Sequence, residues 1–262
     1  MWVERLARFG YAAKGVVYAV IGILAVQAAL GWGGETTGTT GALHAIARQP
    51  FGKALLAVIA VGLLGYVIWR FVEAIKDPEH EGNDAKGIVK RIGYAISGII
   101  YIAIAWTAAQ LAFTVGGANE NGDTQQEATA WLLSQPFGQW LVATVGALVI
   151  GLGFYKFYKA YSVKFRRQLK VSQMSPKEET WAIRISRFGI AARGVVFTLI
   201  GIFLIQAALQ ARAEEVKGLD EVLQAIAQQP LGKFLLAIVA LGLIAYGIYM
   251  GVQARYRRIQ TT

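Results

Sequence analysis

Six long apolar runs constrain the fold of this chain more than any other feature of its sequence. A helix needs about 20 apolar residues, at about 1.5 Å rise each, to cross a bilayer. Charged residues make up 16% of the chain, and they enter the runs only near the ends, where long side chains can reach the headgroups. The sequence therefore predicts an all-α membrane protein with six transmembrane helices, over residues 9–30, 51–75, 92–115, 137–161, 188–209 and 231–252.

The runs form three copies of a two-helix unit. The opening Arg8-Phe-Gly-Tyr-Ala-Ala-Lys-Gly returns as Arg187-Phe-Gly-Ile-Ala-Ala-Arg-Gly and, in the middle copy, as Arg91-Ile-Gly-Tyr-Ala-Ile-Ser-Gly. Each second run opens with Gln-Pro-Phe-Gly or Gln-Pro-Leu-Gly. Self-similarity at a fixed period indicates repeated structural units. We predict a single membrane domain, 1–262, with repeats at about 4–76, 87–161 and 183–255 and a cytoplasmic connector at 162–182.

Lysine and arginine set the predicted orientation. With six spans both termini lie on one side, and that side carries 21 of the 26 Lys and Arg residues. Cytoplasmic loops are enriched in these residues, so both termini are predicted to be cytoplasmic. The net charge of +10 then reflects topology and attraction to anionic lipid headgroups, and nucleic acid is not a predicted partner.

Two spans per repeat insert all three copies in the same sense, which makes them parallel repeats about the membrane normal. The simplest closure is a pseudo-threefold bundle of six helices. A short amphipathic segment precedes each second run, at 42–48, 128–134 and 219–227. These segments predict short interfacial helices on the outer side.

Small residues recur at equivalent places in the predicted helices. They allow the close backbone approach on which helix association in lipid depends. The candidates for helix packing are Gly15, Gly22, Gly98, Gly194, Gly201, Gly247 and Gly251.

Two sets of polar residues are candidate site residues. Each repeat opens with an arginine, at Arg8, Arg91 and Arg187, and Lys14 and Arg193 lie six residues further in two of them. They predict either interfacial anchors or contacts to anionic lipid or phosphate on the inner side. A glutamine follows each arginine by 19 residues, at Gln27, Gln110 and Gln206. This outer polar ring is interpreted as glue between helices or as the lining of a cavity.

Catalytic chemistry finds little support. The chain has no cysteine and two histidines, His44 and His80, which the topology places on opposite sides of the membrane. No phosphate-binding loop, zinc motif or nucleophile elbow occurs. We therefore expect no enzyme, no cofactor and no metal.

The threefold arginine-glycine opening, paired each time with Gln-Pro-x-Gly, resembles a bacterial membrane family known as domain of unknown function 1206. The resemblance spans nearly the whole chain and implies a six-helix protein of the bacterial cytoplasmic membrane, without a substrate or cofactor. The first functional hypothesis is a non-enzymatic scaffold, accessory subunit or lipid-binding module, with the bilayer, anionic lipids or another membrane protein as partner. The alternative is a channel or facilitator for a small solute along the threefold axis.

Overall fold

A computed structural model describes residues 2–78, 82, 84–113 and 124–259. These residues are almost entirely helical, and six of the helices are long and apolar enough to cross a membrane. The two last residues of the third predicted span, 114 and 115, lie outside the described residues, as does His80. The helices are α1 Trp2–Leu30, α2 Thr39–Ala47, α3 Gly52–Lys76, α4 Ala85–Phe113, α5 Thr124–Leu133, α6 Gly138–Ser162, α7 Pro176–Gln210, α8 Leu219–Ala227 and α9 Gly232–Tyr256.

The six long helices are α1, α3, α4, α6, α7 and α9, and the other three are short. The base of the bundle is the end where α1 begins and α9 ends, and the cap end is the end that carries the short helices. The most extensive contacts join long helices of different repeats: α4 packs on α3, and α7 packs on α6. The circle is completed by α1 of the first repeat, which packs on α9 of the last. Within the first and third repeats the two long helices also pack together, α1 with α3 and α7 with α9.

The middle repeat differs. Over their described residues, α4 and α6 do not pack along each other. Five of the six neighbouring pairs of a closed ring are therefore formed, and the ring stays open on one side. A threefold axis relating the repeats remains a prediction, because one of the three hairpins that it would relate is not closed.

The packing between repeats uses one register. A Cβ atom on Gly22 would lie 2.6 Å from Cγ1 of Ile244, and one on Gly201 would lie 2.6 Å from Cγ1 of Ile150. Ile150 and Ile244 occupy equivalent positions in their repeats. The helix backbones thus approach so closely that no side chain fits at the crossing.

Each Gln-Pro-x-Gly segment forms a turn between a short helix and the long helix that follows. In the first repeat the N–H of Gly52 donates to the carbonyl of Gln49 at 2.8 Å, and Phe51 adopts a φ of +62°. The glycine is required because its Cβ would collide with the carbonyl of Ile46 at the end of the short helix. Phe137 and Leu231, with φ of +62° and +61°, repeat this geometry.

The short helices bury their apolar side against the protein. Leu43 and Ile46 of α2 are buried, and α2 contacts α1, α3 and α4. In α8, Val222, Leu223 and Ile226 are buried in the same way. The short helices that the sequence predicts before the second long helix of each repeat are present. Two of them, α2 and α8, bury their apolar stripe against the long helices at the cap end.

The connector between α6 and α7 is shorter than predicted and is folded. Ser175 caps α7 by accepting from the N–H of Glu178, with Pro176 in the first turn, so α7 starts well before the apolar run at 188. Residues 163–175 cross the base, where Phe165 and Leu169 are buried. The N–H of Lys170 donates to the carbonyl of Tyr256 at 2.7 Å, which ties the connector to the C-terminal segment.

Candidate functional site

Basic side chains meet aromatic rings inside the base half of the bundle. Lys14 on α1 is 5% exposed, and its Nζ donates to the hydroxyl of Tyr66 on α3 at 2.9 Å. The same ammonium lies 4.4 Å from the centroid of the Tyr66 ring and 4.3 Å from that of Tyr101 on α4. A cation held over ring faces is attracted by their quadrupoles, which partly offsets the loss of water.

A second group of contacts surrounds Arg193 on α7. Its Nη1 donates to the hydroxyl of Tyr246 on α9 at 2.8 Å, and its guanidinium lies 4.8 Å from the ring of Tyr18 on α1. The guanidinium also lies 4.8 Å from the ring of Phe197, and Nζ of Lys156 on α6 lies 5.1 Å from that ring. Two cations from different repeats therefore share one phenyl ring.

Arg70 completes the set and is the only member with a carboxylate partner. Its Nε donates to the Tyr66 hydroxyl at 2.7 Å, and its Nη1 pairs with Glu73 at 2.7 Å. The other oxygen of Glu73 pairs with Arg257 from the C-terminal segment at 2.7 Å. The Glu73 side chain is fully buried, and its one carboxylate bridges two arginines across the base.

We call these residues the cation–aromatic cluster. Lys14, Lys156 and Arg193 have no ion-pair partner among the described residues. Rings pack against one another between the cations, with centroids 4.7 Å apart for Tyr66 and Tyr101 and 4.9 Å apart for Tyr18 and Tyr246. The cluster consists of Lys14, Arg70, Lys156, Arg193, Tyr18, Tyr66, Tyr101, Phe197 and Tyr246.

The cations follow the interfaces between repeats rather than the repeats themselves. Arg70 faces Gly98 across the α3–α4 interface, where the middle repeat has Ser97 in place of a cation. Met250, the counterpart of Arg70, lies at the α9–α1 interface, where a Cβ atom on Gly15 would be 3.2 Å from the Met250 Cβ, and Lys14 directly precedes that glycine. Each interface therefore keeps at least one cation, and the α6–α7 interface has two.

The arginines that open the repeats donate to backbone carbonyls of neighbouring helices, while their roles as interfacial anchors or as phosphate contacts stay predictions. Arg91 Nε donates to the carbonyl of Ala74 at 2.8 Å, and Arg187 Nε donates to that of Ala160 at 3.1 Å. Arg8 Nη1 donates to the carbonyl of Ala254 at 2.8 Å. These alanines are equivalent, each two residues before the end of α3, α6 or α9. Each arginine thus caps the C-terminal end of a helix from another repeat, where free carbonyls and the helix dipole favour a cation.

The three glutamines lie near the cap ends of α1, α4 and α7. Gln27 and Gln110 are half-buried and Gln206 is exposed. None of the three side chains makes a hydrogen bond to another described residue. The channel that would use them as its outer ring stays a prediction, and the packed rings of the cluster do not favour it.

The candidate glycines divide into two groups. At six of them an added Cβ atom would lie within 3.4 Å of a neighbouring helix. These six are Gly15, Gly22, Gly98, Gly194, Gly201 and Gly247. At Gly251 an added Cβ atom would meet no described residue within 4 Å. Gly251 itself lies against Gly15, whose own Cβ would be 3.5 Å from its backbone nitrogen.

The similarity of this chain to a known family has the same threefold division as its helices. A family model described as Domain of Unknown Function (DUF1206) matches residues 9–77, 92–162 and 188–257, one copy for each hairpin. The chain belongs to this family. Its relatives include "Uncharacterized protein YxxB" of Bacillus subtilis (strain 168), which is 39% identical over 258 residues, covering 98% of this chain and 92% of the relative. No solved structure matches the chain.

Part of the cluster can be predicted from the sequence, because Lys14 and Arg193 follow the arginines that open two of the repeats. Arg70 and Lys156 lie near the ends of apolar runs, where a long cationic side chain can equally reach the headgroups. Charge is not kept at equivalent positions of the repeats, so similarity between repeats does not indicate the cluster. The signal was pairing across repeats: a repeat that lacks the cation on one helix faces a neighbour that carries one.

Proposed function

We propose that this multi-pass protein is a non-enzymatic binding protein of the bacterial cytoplasmic membrane, with its base cytoplasmic, and that its cation–aromatic cluster binds a phosphate-bearing anion. The observation that carries the proposal is the pair Lys156 and Arg193, whose charged groups lie 5.1 and 4.8 Å from the Phe197 ring without a carboxylate partner among the described residues.

Two like charges are costly in a region of low dielectric unless an anion joins them. Phosphate suits this pair because guanidinium offers parallel N–H donors and ammonium offers a compact charge. The surrounding rings exclude water and strengthen the attraction.

Binding of defined anions by the detergent-purified full-length chain tests the proposal. Native mass spectrometry would follow titrations with inorganic phosphate and with phosphatidylglycerol. A hydrogen bond to a charged group contributes about 1.5–3 kcal/mol, so K156Q should weaken binding of at least one anion about tenfold. R193Q should weaken binding of the same anion.

K53Q/K233Q is the matched control, because Lys53 and Lys233 are exposed cations in the first turns of α3 and α9 at the cap end. The control should bind like the unsubstituted chain. Lys156 makes no hydrogen bond to other described residues, so K156Q tests the site without removing a hydrogen bond among them. Unchanged binding of both anions in K156Q and R193Q would overturn the proposal.

A further inference from the structure

The bundle is open on one side, between α4 and α6 of the middle repeat. Gly10 and Gly189 lie against Tyr66 and Tyr246 of their own hairpins, whereas their counterpart Gly93 meets nothing within 4 Å. Further positions that are buried in the first and third repeats are exposed in the middle one. They are Ile96 and Ile100 on α4 and Leu148, Leu152 and Tyr155 on α6, and with Gly93 they line what we call the lateral opening.

Side-chain size explains why this hairpin alone is open. In the first repeat the crossing holds Ala13 and Gly62, and a Cβ added to the glycine would lie only 2.6 Å from that of the alanine. Ala192 and Gly242 form the same crossing in the third repeat. The middle repeat carries Ile96 and Leu148 at these positions. Even one added carbon does not fit the crossing, so an isoleucine and a leucine hold the helices apart.

The lining of the opening is ordered along α6 as a lipid is ordered along the bilayer normal. Lys156 lies nearest the base, and Leu152 and Leu148 follow about 6 Å and about 12 Å further toward the membrane centre at 1.5 Å per residue. Arg193 is half-buried in the interior behind this edge, with rings of α1, α7 and α9 on its other sides. Cations near the base and apolar side chains deeper in the membrane complement an anionic headgroup and its acyl chains.

We propose that an anionic phospholipid of the base leaflet occupies the lateral opening, with its phosphate at Lys156 and Arg193 and its acyl chains along Ile96, Ile100, Leu148 and Leu152. This inference rests on the proposed function and names the ligand class and its route. The charge of the site selects an anionic lipid, and the apolar walls at the depth of the chains favour a lipid over a soluble phosphate.

The test closes the opening without touching the cations. The substitutions I96A/L148G give the middle hairpin the residues found at the crossing of the first hairpin, so α4 and α6 can pack together. In native mass spectrometry with phosphatidylglycerol, this variant should bind the lipid at least about tenfold more weakly than the unsubstituted chain. I99A/L141G is the matched control, because it makes the same two changes of residue type on α4 and α6 at exposed positions. Their counterparts in the first repeat, Val16 and Leu55, are exposed as well. The control should bind like the unsubstituted chain.

Each alternative occupant has its own result. Undiminished lipid binding by I96A/L148G would overturn the lateral route while leaving the proposed function intact. Binding of inorganic phosphate without phosphatidylglycerol, unaffected by I96A/L148G, would show a soluble ligand and overturn the lipid assignment. A dimer that I96A/L148G dissociates would show that a second copy covers the opening, which also overturns it. Failure of the proposed function is distinct, because it requires that K156Q and R193Q leave all anion binding unchanged.

A cysteine pair gives a second measurement should I96A/L148G fail to fold. The chain has no cysteine of its own, so I96C/L148C introduces one defined pair with small side chains at the crossing. A disulfide requires Cα atoms within about 7 Å of each other. An occupying lipid keeps the helices apart, so the bond should form more slowly in vesicles of phosphatidylglycerol than in vesicles of phosphatidylcholine. Equal rates in the two vesicles would contradict the proposal.

Discussion

At the scale of single residues, the polar groups of this protein are divided between structure and binding. The repeat-opening arginines donate to helix carbonyls, and Glu73 joins Arg70 to Arg257 at 2.7 Å on each side. Lys156 and Arg193 lie over aromatic rings without a carboxylate partner among the described residues. A buried cation without a carboxylate is costly to keep, and this contrast separates the candidate binding residues from the structural ones.

The buried carboxylate of Glu73 is expected to stabilise the base strongly. Removing one partner of a buried ion pair costs about 3–5 kcal/mol, because the remaining charge is left unpaired. E73Q leaves two arginines without their shared carboxylate and should lower the unfolding temperature in detergent markedly.

Glu179 provides the control for this prediction. Its pair with Arg166 is exposed, with 55% of the arginine side chain accessible, and exposed pairs contribute about 0–1 kcal/mol. E179Q should therefore unfold close to the unsubstituted chain. If E73Q unfolded at the same temperature as E179Q, the structural role assigned to Glu73 would be wrong.

At the scale of helices, the interfaces between repeats and those within repeats obey different rules. Between repeats, a small residue at the crossing places backbone against backbone in one shared register, as at Gly22 and Gly201. Within a repeat, the two long helices pack together where their crossing holds Ala and Gly, and they stay apart where it holds Ile and Leu. The middle hairpin is open because its two long helices are each held by a neighbouring repeat while their own crossing is overfilled.

This difference predicts opposite effects for the same substitution at two glycines. A Cβ at position 22 would lie 2.6 Å from Ile244 and 2.7 Å from the carbonyl of Ala240, and overpacking costs about 1–3 kcal/mol. G22A should therefore lower the unfolding temperature in detergent. At Gly93 the added methyl meets no atom of the described residues within 4 Å, and alanine is favoured over glycine in a helix by about 1 kcal/mol. G93A should match or exceed the unsubstituted chain, and equal losses at both sites would contradict the structure.

At the scale of the whole molecule, a circular chain of contacts links first and last repeats. The first helix packs on the last, Arg8 donates to the carbonyl of Ala254, and the connector at Lys170 bonds to Tyr256. The base is therefore tied across the chain's ends, while the wall between α4 and α6 is not. A rigid base beside one lateral opening suits a protein that admits a lipid from the side.

The orientation of the whole bundle in the membrane can be predicted from its charge. We expect the base to face the cytoplasm, because most Lys and Arg residues lie at that end. In the cysteine-free chain, a single S172C at the base should resist a membrane-impermeant maleimide in intact cells and react after permeabilisation. A single T40C at the cap end should react in both. Labelling of S172C alone in intact cells would reverse the proposed orientation.

The helices and their repetition could be predicted from the sequence. Hydropathy predicted the six long helices, and self-similarity predicted the three hairpins, because both are local properties of the chain. Family membership followed from the same repeated motifs. The Gln-Pro-x-Gly segments also indicate turns from their residue types alone, although they do not predict the positive φ of Phe51.

Which helices pack together, and where the charges meet, follows from contacts between segments that are distant along the chain. Arg70 and Lys156 read as headgroup anchors along the chain, because snorkelling and inward burial have the same local pattern. Ile96 and Leu148 read as ordinary apolar residues, because their bulk matters only where two helices cross. Contacts between distant segments give these residues their roles. The cation–aromatic cluster and the lateral opening therefore depend on packing that no single stretch of sequence contains.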